Sequence, residues 1–188
     1  MIASLPMYDW PEVREAHDAF WKILAGELTR AGFEPPDELS RVAEGHMLWL
    51  HPEMLFSQTC GYPYATRLSG KVQLLATPCY AVEGCEGPTY SSAIIVRRDS
   101  DVVSLEGALK GKLAYNSVDS LSGYRCFVPL IGDPVSMFSA SQKSGGHRQS
   151  AIMVANGEAD CAAIDIMDGA AVVELIKNGG PYPRDRLI

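Results

Sequence analysis

The chain has 188 residues, of which 47% are hydrophobic and 21% charged, and its formal net charge is −7 at pH 7. This composition is typical of a globular protein with room for one large domain or two small lobes. The acidic excess argues against broad nucleic-acid binding, which needs clustered Lys and Arg to neutralise phosphates. The sequence contains no run of about 18 apolar residues, so no membrane span is predicted.

The first part of the chain is predicted to contain a strand, a helix and a loop. Residues 1–7 are mostly apolar and are predicted to form a strand. Over residues 11–31 the apolar positions recur every three or four residues, which predicts a helix that begins at Pro11 and ends at Gly32. A loop is expected over residues 34–37. The predicted apolar face of the helix consists of Val13, Ala16, Phe20, Leu24, Leu28 and Ala31.

The rest of the chain alternates between strand-like and helix-like segments. This alternation predicts an α/β fold with largely parallel strands, in which ligands bind at the carboxyl ends of the strands. The longest strand is expected over residues 90–98, where the chain would cross from one lobe to the other. A turn-rich segment is expected over residues 59–63. The other predicted elements are strands at 54–57, 72–76, 112–115, 135–140 and 159–164, and helices at 104–109, 124–131, 147–156 and 166–177.

Residues 116–123, with the sequence NSVDSLSG, are the most informative segment because they lie between a predicted strand and a predicted helix. A helix start leaves about four backbone N–H groups unpaired and carries about half a positive charge, which suits a small oxyanion. The alternative is that Asp119 or Ser120 only caps the helix. Capping needs one hydroxyl, so Ser122 would remain for a ligand even then.

Other polar side chains follow predicted strands or open predicted helices. Asp9 could equally cap the helix that begins at Pro11, and Asp165 could cap the helix at 166–177. His147 follows two glycines, which let a backbone approach a ligand, but it could also be a first-turn helix residue. The candidates at such positions are Tyr8, Asp9, Thr59 to Tyr62, Thr77, Asn116, His147 and Asp165.

The five cysteines, at positions 60, 79, 85, 126 and 161, exclude complete internal pairing because their number is odd. Cys79 and Cys85 flank a turn and could form a bridge in an oxidising compartment or stay reduced. The sequence has no CxxC motif and no zinc-ligand spacing, and its four histidines are scattered. We therefore expect neither a metal nor a cofactor.

Five segments, taken in chain order, resemble the phosphate/phosphonate-binding family, the solute receptors of phosphonate-type ABC importers. The segments are FSQTCGYP (56–63), CEGPTYSS (85–92), residues 105–123, GGH (145–147) and GEADCAAID (157–165). The resemblance runs from the first strand to about Ile176. It implies the type 2 periplasmic binding fold, with α/β lobes at 1–92 and 93–188, a ligand cleft between them and a hinge near residues 91–96.

The resemblance also implies which residues bind the solute. In receptors of this kind, hydroxyls at the helix start and tyrosines of the first lobe bind the phosphonate oxygens. The matching positions are Ser120, Ser122, Tyr62 and Tyr90, while His147 and Asp165 match positions that meet the ligand from the second lobe. With the polar residues at strand ends, the expected ligand-binding set is Tyr8, Tyr62, Tyr90, Asn116, Ser120, Ser122, His147 and Asp165.

The chain departs from the family pattern in three places. Leu121 stands where these receptors tend to have a hydroxyl residue. The sequence is expected to lack the usual leader, and the return of the chain to the first lobe is expected to be short or missing, through truncation or a smaller first lobe. The expected function is the solute-binding component of a phosphonate-type ABC transporter. It would act as a monomer that binds a small oxyanion-bearing or polar organic ligand, with an ABC permease as partner. It is expected to be periplasmic if a leader has been removed and cytoplasmic as written.

The alternative is a cytosolic enzyme or ligand sensor on the same fold. Cys60 would be the nucleophile, with His147 as base and Asp165 as its orienting group. The sequence contains no G-x-S-x-G, P-loop or H-E-x-x-H motif that would support catalysis. Cys60 could equally be a small buried residue without a chemical role.

Overall fold

The computed structural model describes residues 1–41 and 48–169. The chain divides between Leu74 and Leu75 into two compact units, which we call the N-terminal unit and the C-terminal unit. Within the described residues, none of the helices combines the length and the apolar character needed to span a membrane. The lobe boundary at 92/93 and the hinge at 91–96 stay predictions.

The N-terminal unit is a parallel strand pair with one long helix. Strand β1 (Ile2–Ser4) pairs in parallel with β2 (Met54–Ser57), as the strand predictions at 1–7 and 54–57 indicated. Between them, a 3₁₀ turn (Pro11–Val13) leads into helix α1 (Arg14–Arg30), which confirms the predicted helix. Pro11 fits this first turn because its ring fixes φ near the helical value.

The buried face of α1 agrees with the predicted one at Leu24 and Leu28, which pack against the core, but not at Phe20. Phe20 is 53% exposed, whereas Trp21 is 1% exposed and forms the core with Ala3 and Leu5. The Trp21 indole also donates to the backbone carbonyl of Pro36 at 3.0 Å. Packing therefore places Trp21 rather than Phe20 on the buried side of the helix, together with Leu24 and Leu28.

Two predictions between β2 and the C-terminal unit are wrong. The segment expected to be turn-rich, 59–63, contains helix α2 (Gly61–Pro63), which continues as a π-helical turn (Tyr64–Leu68). Residues 72–76, expected to be a strand, form only an isolated bridge between Ser69 and Val72. Leu74 and Leu75 are 56% and 65% exposed, so their apolar character does not produce a paired strand.

The C-terminal unit contains a four-stranded sheet in the order β5-β8-β6-β7. Strands β6 (Lys112–Tyr115), β7 (Ala140–Lys143) and β8 (Cys161–Asp165) are parallel, and β5 (Ser92–Val96) is antiparallel to β8. All five residues of β8 are buried, as expected for a central strand with a continuous apolar run. The prediction of an α/β fold with largely parallel strands is confirmed.

Shorter elements surround this sheet. A hairpin of β3 (Cys85–Glu86) and β4 (Thr89–Tyr90) precedes β5, so the predicted long strand at 90–98 is divided. Helix α3 (Leu105–Ala108) begins at the Ser104 cap, and helix α6 (His147–Asn156) has the predicted bounds. The helix expected at 124–131 consists of a π-helical turn (Leu121–Arg125) and helix α4 (Val128–Ile131).

The prediction of a strand at 135–140 is wrong. Residues Pro134–Met137 form helix α5, and the strand begins only at Ala140. Proline at the first helical position after Asp133 favours a helical turn, and this local signal outweighs the apolar composition of the segment. Of the helix predicted at 166–177, residues 166–169 are helical and the remainder lies outside the described residues.

The core of the C-terminal unit packs aromatic side chains against the sheet. The rings of Phe127 and Phe138 meet edge to face with centroids 5.5 Å apart, next to the buried Leu113 of β6. All five cysteines are free, so the bridge considered between Cys79 and Cys85 is not formed.

Candidate functional site

The Ser-rich turn after β6 is fixed by its own side chains. The Asn116 amide donates to Ser120 Oγ at 2.9 Å, and the same oxygen accepts from the backbone N–H of Gly123 at 3.1 Å. Ser120 therefore caps the π-helical turn. A Cβ on Gly123 would lie 2.1 Å from the Asn116 side-chain oxygen, so only glycine fits against this amide.

Ser122 has a different environment from Ser120. Its side chain is 4% exposed, and its Oγ lies 2.7 Å from Nε2 of His147, the first residue of α6. The contact joins a π-helical turn and a helix that follow two neighbouring parallel strands, β6 and β7. The structure thus brings together two of the residues that the resemblance singled out, although 25 positions separate them in the chain.

The His147 ring is also held by β8. The backbone N–H of Asp165 lies 3.4 Å from Nδ1, and the backbone carbonyl of Ala163 accepts from the ring. The Asp165 N–H can donate only to an unprotonated Nδ1, so this contact favours the tautomer with the ring proton on Nε2. Burial lowers the pKa of His147 to about 4, so the ring is neutral at pH 7.

Two buried carboxyl groups lie at the carboxyl end of β8 and just after it. Asp165 is 1% exposed and accepts from the backbone N–H of Met167 at 2.9 Å, as a helix cap does. Burial and the Asp165 charge raise the pKa of Asp168 to about 8, and burial together with the Asp165 charge raises the pKa of Tyr80. We did not predict Asp168 or Tyr80 as site residues. The signal for Asp168 was the i, i+3 spacing of two carboxylates at a helix start.

A cavity of about 420 Å³ opens on the C-terminal unit beside the Ser-rich turn. Of the predicted ligand residues, Tyr90 and Ser122 line it, and His147 reaches it only through Ser122. Asn116 and Ser120 shape the turn. The residues that line the cavity are Pro88, Thr89, Tyr90, Ser92, Ile94, Leu121, Ser122, Cys126, Phe127 and Leu130.

Tyr8 and Tyr62 belong to the N-terminal unit. Tyr8 follows β1 in the loop before the 3₁₀ turn, and Tyr62 lies in α2. Beside Tyr8, Asp9 accepts from the guanidinium of Arg41 at 2.5 and 3.1 Å. Ligand contacts by Tyr8 and Tyr62 stay predictions.

The Ser122–His147 pair has the spacing of a nucleophile and its base but not the rest of a catalytic triad. Nδ1 faces the backbone of Asp165, and the Asp165 carboxylate caps a helical turn instead of orienting the ring. A ring with a pKa of about 4 is also a weak base at pH 7. The geometry therefore suits hydrogen bonding to a bound molecule better than proton abstraction. Among the described residues, no cluster of three His, Cys, Asp or Glu side chains could hold a metal ion.

Fold and site together describe an α/β protein with a hydroxyl beside a cavity, and the comparisons identify its family. Residues 2–174 match the model of the family described as the ABC transporter, phosphonate, periplasmic substrate-binding protein. The chain belongs to this family, which confirms the resemblance, and its mixed α/β architecture is consistent with the type 2 periplasmic binding fold.

One similar solved structure is a binding protein component of an ABC phosphonate transporter from Pseudomonas aeruginosa. The two chains are 27% identical over 47% of this chain and 32% of that one, with a TM-score of 0.40. The match thus spans about a third of the length of that protein. No curated protein matches the chain. Nothing in these comparisons supports the enzyme alternative with Cys60 as nucleophile.

Proposed function

We propose that this protein is the solute-binding component of a phosphonate-type ABC importer and that Ser122 donates a hydrogen bond to the oxyanion of the solute. The family match supports the receptor role, and the buried Ser122 hydroxyl beside the cavity is the observation that supports the binding mode. Such a receptor acts in the periplasm and delivers its solute to an ABC permease.

The donor role of Ser122 depends on the tautomer of His147. An anion that accepts from Ser122 Oγ needs the serine proton, so Nε2 must carry the ring proton and donate to the serine oxygen at 2.7 Å. Nδ1 then accepts from the backbone N–H of Asp165. A neutral ring supplies this arrangement across the physiological pH range, since the pKa of His147 is about 4.

The other candidate residues have supporting roles in this proposal. Ser120 and Asn116 hold the turn so that Ser122 points to the cavity wall, and His147 positions Ser122. Tyr90, which lines the same cavity, is a second contact for the solute. Asp165 orders the turn after β8 and sets the environment of His147.

Isothermal titration calorimetry with methylphosphonate, ethylphosphonate, phosphite and phosphate tests the proposal. At least one of these anions should bind with 1:1 stoichiometry and remain chemically unchanged. The Ser122→Ala variant should bind it more weakly by on the order of 1–2 kcal/mol, the cost of one hydrogen bond to a charged group. Ser136→Ala is the matched control, because its hydroxyl is exposed and bonds Asp133 outside the cavity.

The outcomes separate the two functional classes. Equal affinity of wild type and Ser122→Ala would reduce Ser122 to a structural residue. Turnover of the ligand, lost in Cys60→Ala, would support the enzyme alternative instead of the receptor.

A further inference from the structure

The wall of the cavity beside Ser122 is mainly apolar. Besides four hydroxyl residues, it consists of hydrocarbon side chains and one thiol. Burial raises the pKa of the Cys126 thiol, which keeps this side chain uncharged. None of the described residues that line the cavity is a lysine, arginine, histidine, aspartate or glutamate.

We propose that the solute is an organic phosphonate whose carbon substituent is apolar, and that Leu121 selects this substituent against inorganic phosphate and aminoalkylphosphonates. This inference rests on the proposed function, because it concerns the same binding site. The headgroup contacts Ser122, and the substituent packs on Leu121, Ile94 and Phe127.

The cavity is too large for an inorganic anion alone. A water molecule takes roughly 30 Å³ in the liquid, and inorganic phosphate occupies the space of only a few water molecules. The cavity volume is about 420 Å³, so more than half of it would remain around such an ion. A substituent of several carbons would fill this space.

The placement of polar and apolar groups matches a molecule with two ends. Ser122 and Leu121 are adjacent on the same π-helical turn, so a hydroxyl and an isobutyl group meet the solute side by side. Ile94 of β5 is 41% exposed and Leu130 of α4 is 67% exposed, although both line the cavity. An apolar substituent would remove these side chains from water, which favours binding by about fourfold for each methylene buried.

The same wall disfavours an amine. An ammonium group placed there would lose its hydration without gaining a carboxylate partner among the lining residues. The two buried carboxyl groups are Asp165, at the end of β8, and Asp168, just after it, and neither is part of the cavity lining. Propylphosphonate and 2-aminoethylphosphonate have nearly the same shape, so their comparison isolates the charge.

A calorimetric series on the wild-type protein tests the proposal. We expect affinity to increase by about fourfold for each methylene from methyl- to butylphosphonate, and to be at least tenfold higher for propyl- than for 2-aminoethylphosphonate. Inorganic phosphate should bind more weakly than methylphosphonate. The Leu121→Ser variant should lose most of the dependence on chain length and bind phosphate more tightly than the wild type does.

Val103→Ser is the matched control for Leu121→Ser, because Val103 is 95% exposed and does not line the cavity. It should leave the whole series unchanged. If phosphonates bind but affinity is flat along the series, or is highest for the amine, the apolar-substituent proposal is overturned while the receptor function stands. If none of the anions binds, the proposed function itself fails. Should Leu121→Ser not fold, the wild-type series alone decides.

Discussion

The two units of this protein place their polar groups differently. The C-terminal unit buries Ser122, Ser150, Asp165 and Asp168, each at most 4% exposed. The N-terminal unit keeps its main charge cluster nearer the surface, where the Arg41 guanidinium contacts Asp9 and Asp18. Buried polar groups reduce stability unless they are well paired, whereas surface ion pairs change it little. The proposed binding site lies in the unit that buries more of these groups.

The hydrophobic cores of the two units also differ, in how many aromatic side chains form them. Five buried residues of β8 anchor the C-terminal sheet, and several aromatic side chains pack around it. In the N-terminal unit the core cluster of Ala3, Leu5, Trp21 and Leu39 contains a single aromatic side chain, Trp21. The N-terminal unit should therefore depend on a single residue more strongly than the C-terminal unit does.

The largest effect is expected for Trp21→Ala. Removing a buried aromatic side chain costs about 3–5 kcal/mol, and this one also donates to the Pro36 carbonyl. Hydrogen exchange should show loss of protection in β1 and β2 with less change in β5 to β8. Phe20→Ala is the matched control, because Phe20 neighbours Trp21 in the chain and its own ring is 53% exposed. Uniform loss of protection in both units would show that they unfold together. It would contradict the expectation that only the N-terminal unit depends strongly on Trp21.

An intermediate effect is expected for Asp168→Asn. Because the pKa of Asp168 is raised to about 8 from its usual value of 3.8, the folded state holds this proton more tightly than the unfolded state. The wild type should thus lose stability as the pH rises from about 4 through 8. The variant should lose less, and at pH 9 it should be more stable by on the order of 2 kcal/mol.

Thermal unfolding between pH 4 and pH 9 measures this difference. Asp101→Asn, at an exposed carboxylate, should leave the wild-type curve unchanged. Parallel curves for wild type and Asp168→Asn would mean that Asp168 is ionised in the fold. The comparison between a buried and a surface polar cluster would then lose its basis.

The smallest effect is expected for Arg41→Ala in the N-terminal unit. Hydrogen bonds with Asp9 and Asp18 hold the pKa of the Arg41 guanidinium above its usual range, but the side chain is 29% exposed. Its removal should cost at most about 1 kcal/mol in low salt and less in high salt. Urea unfolding with Lys22→Ala as an exposed control measures this cost. A loss of more than about 2 kcal/mol in the free energy of unfolding would mean that the Arg41 cluster affects stability as strongly as buried polar groups do.

Local signals were enough to predict several elements of the C-terminal unit. Strand 112–115 and helix 147–156 have the predicted bounds, the latter between two preceding glycines and the left-handed Gly157 that ends it. Caps, glycines and apolar runs act within a few residues, so the sequence contains this information directly. The same holds for the turn at 116–123, whose hydroxyl and amide residues hydrogen-bond one another.

Only the tertiary structure decided which of these signals prevailed and which side chains met. The 72–76 segment has a strand-like composition but, among residues 1–41 and 48–169, pairs only through one isolated bridge, and α1 buries Trp21 instead of Phe20. The contact of Ser122 with His147 depends on the order of β6 and β7 in the sheet. Such contacts form between residues that are far apart in the chain. Their burial and hydrogen bonding depend on the whole fold, so local propensity does not determine them.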